Sequence, residues 1–184
     1  MDIERFWAKT APFQSVLTHA RISGFVAQIL VSELLSAGVR AQLSSALSLN
    51  EKELVDFVGY LVSVHDISKL EYSFQAQNEE LRQALEHEPQ FVQLPVDGVR
   101  HEKTGQHFLH AYWRQNGENR ESANLFSKIV GAHHQGKSGS GHYEQGSQWQ
   151  NVRSSLEEKI RKPFCGGAIA GCGLRCYVNR HSAD

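Results

Sequence analysis

Val64-His65-Asp66-Ile67-Ser68-Lys69 closes the apolar run Leu54-Val55-Asp56-Phe57-Val58-Gly59-Tyr60-Leu61-Val62. A histidine and an aspartate side by side, at the mouth of a buried helix, aim an imidazole and a carboxylate at one point. Neutral imidazole nitrogens and carboxylate oxygens together suit Mn, Fe, Ni, Co or Zn. The chain holds ten histidines. Four of them, His19, His101, His133 and His134, fall at inward positions of the helices that surround this stretch. The implied fold class is all-α, a helical frame that carries these side chains to His65-Asp66.

Working outward, Asn50 followed by Glu53 reads as an N-cap with its capping box, opening the helix that leads to His65. Upstream, Pro12 suits the first turn of a helix and Gly38 its end. Between them Val16, Leu17, Ala20, Val26, Ala27, Ile29, Leu30, Leu34 and Leu35 recur at helical spacing. His19 shares a face with Val16, Ser23 and Val26, which points it inward. Downstream, Leu70 to Leu85 is expected as one helix with Phe74 and Leu81 inward. Pro89, Pro95 and Gly98 mark 86–99 as a loop.

A helix from about Arg100 to Arg114 carries His101, Phe108 and Tyr112 along one side. Another, over 121–134, sets Phe126, Ile129, Val130 and His133 on one face. The Gly- and Ser-rich stretch 135–148 reads as a surface loop, and Trp149 to Lys162 as a final helix stopped by Pro163. No alternating strand pattern is evident. The expected division is a folded domain over 1–163 and an irregular tail over 164–184. In that tail Gly166, Gly167, Gly171 and Gly173 each disfavour a helix by roughly 1 kcal/mol against alanine, so loose packing is expected.

At 184 residues the chain suffices for one domain that buries its own core. A net charge of −1 offers no global attraction to a polyanion, so a nucleic acid would have to be met by a local basic patch or by bound metal. No basic n-region opens the sequence and no apolar run is long enough to span a bilayer. The expectation is a soluble, cytoplasmic protein with no membrane partner. Three cysteines, Cys165, Cys172 and Cys176, argue against a disulfide framework by their odd number. With His181 they match no familiar zinc knuckle, and free thiols are the simpler reading.

The ordered set His65-Asp66-Ile67-Ser68-Lys69, Phe74-Gln75, Arg100-His101-Glu102 and Ala132-His133-His134, preceded by the helical His19, resembles the HD nuclease domain of the type I CRISPR-associated helicase-nuclease. The resemblance spans about residues 13 to 162 and implies an HD-domain helical bundle around a central metal site. It implies one ion held by His19, His65 and Asp66, and a second held by Asp66, His101, His133 and His134, with Asp66 bridging. The metal would be a divalent transition ion, Mn, Ni, Co or Fe, with Mg or Zn also compatible. Two ions about 3.5–4 Å apart lower the pKa of a shared water and brace a phosphodiester for in-line attack. Asp66 and Lys69 would then be the catalytic residues, Lys69 offsetting phosphate charge. The plain alternative for Lys69 is a solvated lysine at a helix end. The family is known for metal-dependent cleavage of single-stranded DNA beside a helicase. The implied partners are therefore single-stranded DNA, a CRISPR-associated helicase and an RNA-guided surveillance complex in antiviral defence. Two alternatives are an HD-type phosphohydrolase acting on small nucleotides and a catalytically impaired remnant or binding module.

Three departures from the family pattern stand out. Ser68 replaces a glycine, and Gln135-Gly136 follows His133-His134 where the family has glycine directly. The family also places an aspartate ligand on a later helix, yet after Ile160-Arg161-Lys162-Pro163-Phe164 no aspartate occurs before Asp184. A truncated or frame-altered end is one expectation, and an under-coordinated first ion with reduced activity would follow from it. Gly131 to Ser138 spells a phosphate-binding loop, but that device needs a strand before it and a helix after it. Chance overlap with the His-His motif is the reading kept, with Lys137 available to bind a nucleic-acid strand. Trp113, Tyr143 and Trp149 suit packing better than base stacking, and His107, His110, His142 and His181 suit surface or packing roles.

Overall fold

In a computed structural model describing residues 3–85, 100–134 and 147–165, the central helix starts where its cap predicts. Asn50 Oδ1 accepts from the Glu53 N–H at 2.9 Å, and the Glu53 carboxylate accepts from the Asn50 N–H at 2.9 Å. Two otherwise orphaned donors of α3 (Glu51–Ser63) are thereby satisfied. This helix buries Leu54, Phe57, Gly59 and Tyr60 and packs against α1 (Val16–Ile29). Backbones approach closely there because both helices present glycine. A Cβ on Gly24 would lie 2.8 Å from the Gly59 carbonyl oxygen, and one on Gly59 would lie 2.6 Å from Gln28 Cγ. The Phe164 ring of α8 (Ser147–Cys165) wedges into this crossing against Phe25, with ring centroids 5.2 Å apart.

The described elements are mainly helical, as the patterning predicts, with several corrections. Instead of a helix from Pro12, a 3-10 turn (Ile3–Arg5) leads into a hairpin, β1 (Trp7–Thr10) antiparallel to β2 (Phe13–Ser15). Pro12 sits in its turn, since the fixed φ of proline suits a turn as well as a first helical position. α1 begins only at Val16, where Ser15 Oγ accepts the Thr18 N–H at 3.1 Å. The apolar run then breaks. A π-helical stretch (Leu30–Leu34) follows α1, and Ser36 caps α2 (Ala37–Leu47), so Gly38 lies in a first turn and does not end a helix. Val26, Ile29, Leu30 and Leu34 are exposed; the buried face of α1 is Val16, Leu17, Ala20, Gly24 and Ala27.

The expected helix from Leu70 to Leu85 is three pieces: a 3-10 turn (Ile67–Leu70), α4 (Tyr72–Gln75) and α5 (Glu79–Leu85). Extended backbone at Glu71 makes the first break, with its carboxylate bonded to Arg153 of α8 at 2.6 Å. α6 (His101–Gln115) and α7 (Arg120–Gly131) pack together. Ile129 is exposed and does not share the buried face of Phe126 and Val130. α8 runs past Pro163 to Cys165, and Phe164 is buried in the core where loose packing was expected.

A buried polar knot joins α3, α6 and α8. The Tyr60 and Tyr112 hydroxyls donate to the two oxygens of Glu157 at 2.7 and 2.6 Å, and Trp113 Nε1 donates to the Tyr60 hydroxyl at 3.1 Å. Trp113 is thus a core residue, unavailable for stacking on bases. Burial, reinforced by the charge of Glu157, pushes the Tyr60 hydroxyl well above its ordinary pKa. Among the described residues no single helix is long and apolar enough to cross a membrane. Lys137, His142, Tyr143, Cys172, Cys176, His181 and Asp184 lie outside the described residues.

Candidate metal centre

α3 ends at Ser63 with Val64 as its C-cap, and the chain tightens: the His65 N–H reaches back to the Val62 carbonyl, and the Lys69 N–H to that of Asp66. This tight exit sets His65 and Asp66 over the end of the helix. His19 comes from the first turns of α1, and His101 is the first residue of α6. His133 and His134 lie in the turn just beyond α7, one step past the helix that was expected to carry them. Four of the five imidazoles meet the Asp66 carboxylate, and His134 stands beside His101.

Asp66 is buried, and its two oxygens face different groups. Oδ2 lies 3.0 Å from His19 Nε2, 3.1 Å from His65 Nε2 and 2.7 Å from Lys69 Nζ. Oδ1 lies 3.2 Å from His101 Nε2 and 3.3 Å from His133 Nε2. His134 Nε2 stands 3.2 Å from His101 Nε2. The potential ligand atoms divide into two sets, Asp66 with His101, His133 and His134, and Asp66 with His19 and His65; within each set they lie within 4.8 Å of one another.

The outer ring nitrogens are held as metal-ligating histidines require. His65 Nδ1 donates to the Val62 carbonyl at 2.6 Å and His133 Nδ1 to the Val130 carbonyl at 2.7 Å. Both contacts leave Nε2 as the inward lone pair.

Electrostatics favour a cation here. Burial alone would raise the Asp66 carboxyl, but the imidazoles of His101, His133, His19 and His65 that face it outweigh burial and hold the group far below the usual carboxylate range. Burial opposes charge on His133, yet the facing Asp66 carboxylate and the bond to the Val130 carbonyl raise it above 6.5. His134 is lowered by burial and by the neighbouring His133 and His101, which favours its neutral form. Asp66 Oδ1 and His133 Nε2 are buried and face each other with no hydrogen-bond partner. Two lone-pair atoms left in that state are what a shared cation would satisfy, so the donor set fits a divalent transition ion.

Several supporting residues had no role in the sequence reading beyond motif membership. Gln75 is fully buried and clamps the hairpin to the 3-10 turn. Its Oε1 accepts the Trp7 N–H at 3.1 Å, and its Nε2 donates to the carbonyls of Trp7 and Lys69 at 2.9 and 2.6 Å. An amide buried between apolar neighbours was the signal available in the sequence. Ser68 donates to the main-chain carbonyl of His101. The phosphate-loop spelling at Gly131 is preceded by α7, a helix and not a strand.

The family model for the HD domain of Cas3 matches residues 7–168. No curated protein matches the chain by sequence. Among solved structures, a CRISPR-associated protein superposes with a TM-score of 0.81 at 19% identity, covering 92% of this chain and 20% of that one. ATP-bound T. fusca Cas3 superposes at 0.72 with 21% identity, covering 87% and 19%. A chain of a CRISPR RNA-guided surveillance complex in a pre-nicking state gives 0.73 at 20% identity, covering 87% and 21%. These likenesses show the fold, and this chain spans about a fifth of the length of each of those chains.

Proposed function

Since the chain belongs to the HD-domain family of Cas3 from type I CRISPR systems, we propose that it is a metal-dependent nuclease cutting single-stranded DNA at the Asp66 centre. The observation that carries this reading is the divided Asp66 carboxylate, with one oxygen toward each histidine group. His19, His65 and Asp66 would hold one ion, and Asp66, His101, His133 and His134 the other. Ions bound there would supply Lewis acidity and a water ionised near neutral pH.

The protein's own side chains do the rest. The Asp66 carboxylate stays charged across the working pH range and fixes the spacing of the two ligand sets. The carbonyls of Val62 and Val130 keep the Nε2 atoms of His65 and His133 turned inward. Lys69 places an ammonium group beside Asp66 Oδ2, where it offsets the negative charge of an approaching phosphate. The proposed metal is Mn, Ni, Co or Fe. The proposed setting is cytoplasmic, beside a helicase that feeds the strand and a surveillance complex that recruits it.

Purified protein is expected to bind two ions per chain and to nick a single-stranded DNA oligomer with Mn or Ni. Asp66→Ala should abolish cleavage, and Lys69→Met should lower kcat about 100-fold with metal stoichiometry intact. Equal cleavage in EDTA refutes the proposal. Turnover of small nucleotides with the oligomer left whole reassigns the substrate.

A further inference from the structure

The chain reaches α1 through β2, and the geometry of that entry puts one more side chain onto the centre. Ser15 is the N-cap of α1, so Gln14 is the residue before the cap and His19 is the fourth helical residue. Side chains at those two positions meet across a helix start, the pairing that apolar residues use as a staple. Here the pair is polar. Gln14 Oε1 lies 3.1 Å from His19 Nδ1, while His19 Nε2 points at Asp66 Oδ2, 3.0 Å away. Strand pairing of Gln14 with Lys9, and the bond from the Val16 N–H to the Phe6 carbonyl at 2.7 Å, hold the glutamine in place.

Three of the inward histidines have their outer nitrogen fixed by a hydrogen bond. Main-chain carbonyls do this for His65 and His133, whereas His19 depends on a side chain. We infer that Gln14 is a positioning residue: its amide oxygen fixes the Nδ1–H tautomer of His19 and turns Nε2 toward the ion shared with His65 and Asp66. The inference rests on the metal-centre reading above. An outer-shell acceptor of this kind is commonly worth 10–100-fold in metal affinity.

Two substitutions and two readouts decide it. Gln14→Leu removes the acceptor and Gln14→Glu keeps one. Cobalt titration of the full chain should show Gln14→Leu weakening one of two binding steps by about 10–100-fold, with the other unchanged and with Gln14→Glu retaining both. Nitrogen-15 NMR should detect an exchange-protected His19 Nδ1–H in the wild type and in Gln14→Glu, and not in Gln14→Leu. Wild-type cobalt affinity at both steps in Gln14→Leu overturns the inference. So does equal weakening in Gln14→Glu, or a wild-type His19 without the protected proton. A protected proton in a wild-type chain that takes up no cobalt sinks the metal-centre reading and confines Gln14 to fixing the tautomer.

Discussion

The Ser68 hydroxyl donates to the main-chain carbonyl of His101, tying the 3-10 turn after Asp66 to the first residue of α6. The fit is tight because α6 carries glycine at the contact. A Cβ on Gly105 would lie 2.9 Å from Ser68 Oγ and 3.5 Å from Ser68 Cβ. Serine in the family's glycine position is thereby accommodated by Gly105. Ser68→Ala should cost about 1 kcal/mol for the lost hydrogen bond, and Gly105→Ala about 1–3 kcal/mol from crowding. The pair should be non-additive. With the hydroxyl gone, part of the space for a Cβ at 105 opens, so urea unfolding of the double variant should show less destabilisation than the sum of the singles.

Gln75 substitutes for a missing strand neighbour of Trp7, satisfying both the N–H and the carbonyl of that residue as well as the carbonyl of Lys69. Gln75→Leu preserves bulk but strands two buried backbone groups of Trp7, each costing about 1–3 kcal/mol when unmet, and the half-buried carbonyl of Lys69. The expected loss is roughly 3 kcal/mol or more, measured by chemical denaturation. Gln75→Glu should not rescue it, because a carboxylate cannot donate to either carbonyl.

Where a signal is local and chemical, this fold was legible. The Asn50–Glu53 capping box, the adjacent His65-Asp66 and the inward His101 and His19 all rest on interactions within a few residues or on a side chain's own chemistry. The failures share a cause in long-range packing. Val26 and Ile29 keep helical spacing yet are exposed, because the apolar face of α1 is wider than the surface α3 and α8 cover, and Leu34 falls beyond α1 in the π-helical stretch. The hairpin leaves no local pattern because Trp7–Thr10 is too short to show alternation and is held by Gln75, 68 residues away. The break at Glu71 depends on Arg153, 82 residues away. No local pattern encodes either partner.

Phe164 marks another such failure, and it yields a test. Glycine-rich sequence just beyond it suggested a loose tail, yet its ring fills the crossing made by Gly24 and Gly59 and is 2% exposed. Phe164→Ala should therefore cost about 3–5 kcal/mol. A residue in a loosely packed tail would change stability by less than about 0.5 kcal/mol. Equilibrium unfolding in urea separates the two.

The Asp66 cluster predicts opposite pH responses with and without metal. In metal-free protein the carboxyl of Asp66 is depressed, so its contribution is present above the ordinary carboxylate range, about 3.9, and is lost as pH falls toward the lower folded value. His133 is raised above 6.5, so its contribution is full below that pH and is lost as pH rises through the folded value. His134 and His110 are lowered, so their opposite contributions fall around and below pH 6.5, and stability of the EDTA-treated chain should decline above that pH, toward pH 8. Metal binding needs His133 unprotonated, so it competes with that proton and strengthens over the same interval. The rise in Tm on adding excess Mn should therefore grow between pH 6 and pH 8. Thermal unfolding at matched ionic strength, with and without Mn, reads both slopes. A His133→Ala variant should flatten the metal-free decline, and an unchanged slope in that variant would assign the effect to another group.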